Sequence, residues 1–104
     1  MAVPKLTPEQ RAAALEKAAA VRRRRAEIKQ LLQDGSLQFE NVLADADEDD
    51  VIGGIKVKSV LVSLPGLGKV KSARLMEELG IAENRRLRGL GRRQREALLD
   101  ALSG

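Results

Sequence analysis

Apolar positions recur along this chain every three or four residues, in blocks separated by glycine, proline or runs of acid, and each block predicts a helix. The first has a sharp start. Thr7-Pro8-Glu9-Gln10 supplies a capping hydroxyl, a proline at the first helical position, an acid near the positive end and a glutamine at the capping-box position. Ala12–Ala14 and Ala18–Ala20 have the highest helix propensity available. Leu15, Val21, Ile28 and Leu32 share a rough stripe, and Gly35 ends the run. A helix over 8–34 results, roughly 40 Å long at 1.5 Å per residue.

Arg22-Arg23-Arg24-Arg25 interrupts that stripe. At about 100° per residue, four arginines sweep most of the way around a helix, so no face there can be deeply buried. The amino-terminal half is therefore expected to project as an arm, with Ile28, Leu31 and Leu32 docking on the body. A solvated charged helix and a nucleic-acid-touching arm both fit the run.

Ser36 opens a short second helix through Ala46, with Leu37, Val42 and Leu43 buried beside Phe39. The acidic run Asp45-Ala46-Asp47-Glu48-Asp49-Asp50 begins like a calcium loop. Such a loop needs glycine at its sixth position and glutamate at its twelfth, and these are Asp50 and Lys56. A charged linker or cap is the better reading. A brief turn of helix takes in Val51 and Ile52 before Gly53-Gly54.

Lys56 or Val57 to Leu64 then forms one arm of a hairpin, with Val57, Val60, Leu61 and Leu64 on one side. A strand competes there on propensity, but the turn that follows suits helices and no partner strand is evident. The next helix, Lys69 to Leu79, carries Val70, Ala73, Met76 and Leu79 as its inward stripe, with Lys71 and Arg74 outside. Leu67 and Val70 are assigned to packing. Gly80 is its expected left-handed stop, with Ile81 folding back after it. A last helix runs from Arg92 to Leu102. The fold class is all-α, as one domain: a basic helical arm over 1–34 and a helical body over 35–104.

The turn Leu64-Pro65-Gly66-Leu67-Gly68-Lys69-Val70-Lys71-Ser72 carries the chemistry. Two glycines let the backbone approach a ligand closely, and the helix that follows presents unpaired N–H groups and a positive dipole end. Lysines and a hydroxyl beside them suit a phosphate oxygen. A plain helix–helix turn would explain the glycines but not Lys69 and Lys71. The spacing is not that of a nucleotide-binding P-loop. A second basic stretch, Arg85-Arg86-Leu87-Arg88-Gly89-Leu90-Gly91-Arg92-Arg93, reads as a weak repeat of that turn. Arg85, Arg86, Arg88, Arg92 and Arg93 there suit phosphates through the guanidinium fork.

Composition narrows the functions. The chain has 104 residues, one phenylalanine, no tryptophan or tyrosine, and no cysteine or histidine. Single-strand readers stack bases on aromatics, and such a surface is not available here. Without cysteine or histidine, thiol catalysis, zinc fingers and most metal sites drop out, so neither a catalytic residue nor a cofactor or metal ligand is assigned. No apolar run approaches the length of a membrane span. The net charge of +4 is unevenly spread: +4 over residues 1–34, −6 over 35–55 and +6 over 56–104. A polyanion would meet two basic regions separated by an acidic bridge.

The turn and the helices around it, from about Val57 onward, resemble the helix-two-turns-helix region of small-subunit ribosomal protein uS13 and of bacterial DNA glycosylases, and more broadly the helix-hairpin-helix modules, with Ala73 at the expected place after the second glycine. Over the whole length, Leu6-Thr7-Pro8-Glu9-Gln10-Arg11, the acidic middle and Arg85-Arg86-Leu87-Arg88-Gly89-Leu90-Gly91 together resemble the actinobacterial integration host factor family. That family shares only its name with the β-armed integration host factor and HU proteins. The resemblance implies a monomeric, non-enzymatic nucleoid protein of the cytoplasm, with its helix-two-turns-helix region at about 57–102. It would bind double-stranded DNA with little sequence preference, remodel its shape and topology, and assist recombination proteins such as a phage integrase. Carried over by position, the DNA contacts are Pro65, Gly66, Gly68, Lys69, Lys71 and Ser72, with Arg85, Arg86, Arg88, Arg92 and Arg93. One bent duplex and two separate duplexes both satisfy two such grips. An RNA-binding role of the uS13 kind is the alternative. A lyase or glycosylase would need a lysine nucleophile with a downstream aspartate, or a zinc finger.

Overall fold

Thr7 and Gln10 cap the first helix reciprocally in this computed structural model, which describes residues 5–103. The Gln10 N–H donates to Thr7 Oγ1 at 3.1 Å, and the Thr7 N–H donates to Gln10 Oε1 at 3.0 Å. Helix α1 (Pro8–Gln33) follows, then α2 (Phe39–Asp45), α3 (Asp50–Gly53), α4 (Val57–Ser63), α5 (Gly68–Glu78), a 3₁₀ turn at Leu87–Gly89, and α6 (Arg92–Ser103). The first four residues of the expected arm, and Gly104, lie outside the described residues. No strand occurs among the described residues, in line with the all-α reading.

Helix α2 begins three residues later than the sequence suggests. Asp34 Oδ1 accepts from the Ser36 N–H and the Leu31 carbonyl from the Leu37 N–H, so residues 36 and 37 complete the exit from α1. Asp49, an acid of the central run, caps α3 by accepting from the Val51 and Ile52 N–H groups. Helix α5 ends as expected: the Ile81 N–H reaches back to the Met76 carbonyl and the Gly80 N–H to that of Glu77, closing a Schellman turn.

One apolar core joins these elements. Leu32 of α1, Val42 of α2, Val57, Val60 and Leu61 of α4, Leu87 and Leu98 are all essentially inaccessible, with Phe39, Met76 and Ile81 around them. Burying each such side chain stabilises the fold by roughly 1.5–3 kcal/mol. The arm contributes little to the core: α1 buries Ile28 and Leu32, while Leu15 is 64% exposed. Leu31, expected to dock, is instead 41% exposed. The molecule is accordingly elongated, 52 × 33 × 26 Å.

The inward stripe of α5 also needs correcting. Val70 is 71% exposed and Ala73 is exposed, whereas Ser72 and Met76 are buried and Leu75 and Leu79 half-buried. The helix is turned so that a serine, not a valine, faces the core. Ser72 is tolerated there because its hydroxyl donates to the Gly68 carbonyl at 2.5 Å, satisfying the buried group one turn back.

Candidate nucleic-acid interface

Leu64 ends α4 with an extended backbone, as a residue before proline should. Gly66 and Gly68 then both take positive φ, +78° and +72°, and a Cβ on either would meet nothing within 4 Å. These glycines serve the backbone path, not packing, and they leave the turn open to solvent. Helix α5 starts at Gly68 with no side-chain cap and no acid in its first turn. The N–H groups of Gly68, Lys69 and Val70 find no backbone partner among the described residues. Helices α2 and α4 also start without a side-chain cap, whereas α1 and α3 are capped and the Gly91 N–H just before α6 is taken by Gln94 Oε1 at 3.2 Å. A bare positive helix end beside exposed Lys69 and Lys71 is a ready anion site.

Lys69 also lines an open groove of about 860 Å³. Lys29 of α1, Lys56 and Lys58 at the start of α4, and Asn84 complete its polar wall, with Glu83 the one acid among its lining residues. The Lys58 ammonium donates to Glu83 Oε1 at 2.9 Å, and this bond holds the Glu83 carboxyl below its ordinary value of 4.5. Lys29, Lys56 and Lys58 were not among the contacts expected from the sequence. Lys56 and Lys58 flank Val57, whose side chain is fully buried, and that alternation was the available signal.

The second basic stretch is built differently from the first. Gly89 and Gly91 do not take positive φ, and Gly89 lies in a 3₁₀ turn, so the apparent repeat of the hairpin does not extend to the backbone. Its arginines are largely engaged within the protein. Arg85 donates to the Gly89 carbonyl at 3.4 Å, Arg86 to the Gly54 carbonyl, and Arg88 to Asp50 Oδ1. Arg92 lies 3.4 Å from Glu96, with both side chains well exposed, and Arg93 is exposed. Arg95, not among the expected contacts, is a structural staple. It meets both oxygens of Asp47 at 2.8 and 2.9 Å and the Leu90 carbonyl at 3.1 Å. That pairing is the main reason the Asp47 carboxyl sits below its ordinary 3.8.

Among the hairpin residues, Pro65, Gly66, Gly68, Lys69 and Lys71 are exposed. Ser72 is not. Its hydroxyl, expected to face phosphate, is fully buried and bonded to Gly68. The acidic run is neither a linker nor a calcium loop: Asp49 caps α3, and Asp47, Asp49 and Asp50 pair with Arg95, Arg24 and Arg88. No group of acids that could hold a metal occurs among the described residues.

Residues 32–102 match the family model of the S13-like H2TH domain. The integration host factor of Mycolicibacterium smegmatis is 59% identical over 100 residues, covering 96% of this chain and 95% of that protein. That of Mycobacterium tuberculosis is equally similar, and that of Streptomyces coelicolor is 57% identical over 94 residues, covering 90% and 88%. The chain belongs to the integration host factor family. A solved structure of sIHF bound to an 8 bp palindromic DNA superposes with a TM-score of 0.81 at 49% identity, covering 83% of this chain and 97% of that one. Within the integration host factor fold of this chain, the two basic stretches carried over from the resemblance are not isolated. Lys56 pairs with Arg86 in a single antiparallel backbone bridge, and Asn84 lies on the groove wall one residue before Arg85. The lysines that sequence reasoning missed fill the interval between the stretches.

Proposed function

We propose that this integration host factor family member binds duplex DNA through its phosphates, with little sequence preference, and remodels its shape as a non-enzymatic component of the nucleoid. The observation that carries the reading is the uncapped start of α5, flanked by Lys69 and Lys71 and opening into the groove of Lys29, Lys56 and Lys58. Phosphate contacts position a protein on DNA without reading sequence. Asn84 is the one amide side chain among the residues lining the groove of Lys69, so base readout has little to work with there. The contacts on this reading are Pro65, Gly66, Gly68, Lys69 and Lys71, with Arg85, Arg86, Arg88, Arg92 and Arg93. The relatives' name supports an accessory role in site-specific recombination, beside a phage integrase or similar enzyme. The protein acts as a cytoplasmic monomer in which the α1 arm and the body over 35–104 form one unit. No helix among the described residues is long and apolar enough to cross a membrane.

The ribosomal alternative is not favoured. The S13-like match covers the carboxy-terminal two-thirds, whereas the relatives that match nearly the whole chain are integration host factors. Binding to a random duplex and to a structured RNA of equal length, at one salt concentration, separates the two. The duplex is expected to bind at least tenfold more tightly, and the reverse order would return the chain to the RNA-binding reading.

A further inference from the structure

Helix α3 packs against both α1 and the 3₁₀ turn, and so brings together two arginine runs some sixty positions apart in the chain. Arg24 of α1 donates to Asp49 Oδ2 at 2.6 Å, and Arg88 of the turn pairs with the neighbouring Asp50. Arg25 lies across Gly54, its terminal nitrogen 2.7 Å from where a Cβ on that glycine would stand. Arg86 approaches the same residue and donates to its carbonyl. Arg88 passes Gly53, with Nε 3.1 Å from a Cβ placed there. Two adjacent residues without side chains thus let guanidinium groups from both ends of the chain converge on one short helix.

The cluster also carries unbalanced charge. Four guanidiniums meet two carboxylates, which leaves an excess of two positive charges in one patch. The Arg95–Asp47 pair, by contrast, is neutral. Each arginine carries five N–H donors in a fixed fork, and Arg24 and Arg88 each spend one nitrogen on an aspartate. The carboxylates therefore aim the guanidiniums without saturating them. Arg25 Nε is shielded from solvent and has no partner among the described residues, a state that buried donors seldom occupy.

We propose that Arg24 and Arg25 of α1 join Arg86 and Arg88 in one composite phosphate-binding site, so that the arm is part of the second DNA grip and not a solvated extension. This inference rests on the DNA-binding reading and adds to it residues that neither the hairpin nor the carboxy-terminal stretch contains. DNA held there touches α1 and the 3₁₀ turn together, with α3 as the floor between them.

The test uses the intact protein and a random duplex of about 20 bp over a range of salt. Arg25→Gln is expected to weaken binding about tenfold on every duplex and to lower the salt slope by about one unit, the value of one lost phosphate contact. A merely structural arginine would leave that slope alone. Arg25→Lys, which keeps the charge, is expected to restore most of the slope. Arg25→Gln should combine non-additively with Arg86→Gln, because they share one site, and additively with Lys69→Ala, which does not. Gly54→Ala provides a second route, since its methyl displaces the Arg25 guanidinium while every charge stays in place; a loss of about threefold is expected. Unchanged affinity and slope in both Arg25→Gln and Gly54→Ala, in protein whose affinity still falls with Lys69→Ala, overturns the composite site and leaves the DNA reading standing. Failure of the unmodified protein to bind duplex overturns both.

Discussion

Lys56 and Arg86 face each other across a single antiparallel bridge. The Val57 N–H donates to the Arg85 carbonyl and the Leu87 N–H to the Ile55 carbonyl, both at 2.9 Å. This pair of bonds fastens the segment before the hairpin to the carboxy-terminal basic stretch. It ties the hairpin lysines and the arginine cluster to one helical body.

Lys69→Ala with Lys71→Ala is expected to reduce affinity similarly for every duplex and to shrink the salt slope by up to about two units. Both side chains are exposed, so the melting temperature and helix content should hold. Titration by fluorescence anisotropy at several salt concentrations measures the effect, and unaltered binding in the folded double variant would reduce the hairpin to a plain turn.

Two grips on one body are satisfied together only if one duplex curves or two duplexes approach. Bending a 20–30 bp site costs on the order of 1–6 kcal/mol, which contacts at both grips must offset. Replacing Arg85, Arg86 and Arg88 with alanine should leave binding through Lys69 and Lys71 yet abolish supercoil changes in a topoisomerase relaxation assay. Topology effects that persist in proportion to bound DNA would show that the arginines only add affinity.

Two aspartates of the acidic run should respond differently. Asp50 is 91% exposed and holds Arg88 at the surface, so on the proposed interface Asp50→Asn removes a negative charge and should raise affinity about two- to fivefold with little change in melting. Asp47 instead pairs with the largely covered Arg95. Asp47→Asn should lower the melting temperature more than Asp50→Asn, without raising affinity.

Gly53→Ala and Gly54→Ala make a matched pair. A Cβ on Gly53 would stand 2.3 Å from the Ala46 carbonyl oxygen, a backbone atom that cannot move alone. Overpacking of this kind costs about 1–3 kcal/mol. At Gly54 the nearest obstacle is the flexible end of Arg25, and the Asp50 carbonyl oxygen lies at 3.1 Å. Thermal melts should therefore separate the two, with Gly53→Ala the less stable.

Acid should loosen several of these carboxylate contacts. The Asp47 and Asp49 carboxyls lie below their ordinary 3.8, through the Arg95 guanidinium for Asp47 and chiefly the Ile52 N–H for Asp49, and Lys58 lowers Glu83. Groups with depressed pKa in the folded state add stability that is complete above the unfolded values, near 3.8 and 4.5. That stability is lost as pH falls through the folded ones. Circular dichroism should show a plateau above about pH 5 and unfolding that steepens below pH 4. The Asp47→Asn, Asp49→Asn double variant should show a shallower loss over that interval.

Local signals in the sequence were enough to place the helices. The Thr7–Gln10 box, Pro65 with its two glycines, and the Gly80-Ile81 stop act within a turn of the residues they govern, so they are legible without neighbours. The hairpin lysines were legible for the same reason, because Lys69 and Lys71 adjoin the helix end they serve. The facing of α5 was not. Val70 looked like core by type, but the rotation of a helix is set by what it packs on, and Ser72 could be buried only because the Gly68 carbonyl stood ready for its hydroxyl. The acidic run was legible as a possible cap, which Asp49 is, but not as a set of ion-pair partners. Its meaning lies in Arg24, Arg88 and Arg95, which reach it from 25, 38 and 48 positions away. The sequence by itself determined which segments coil and where positive charge is concentrated, since capping, propensity and periodicity are short-range. Only the tertiary structure decided which charges remain available to a ligand and that the two arginine runs share one surface, because ion pairs and grooves depend on distances between helices that no local pattern encodes.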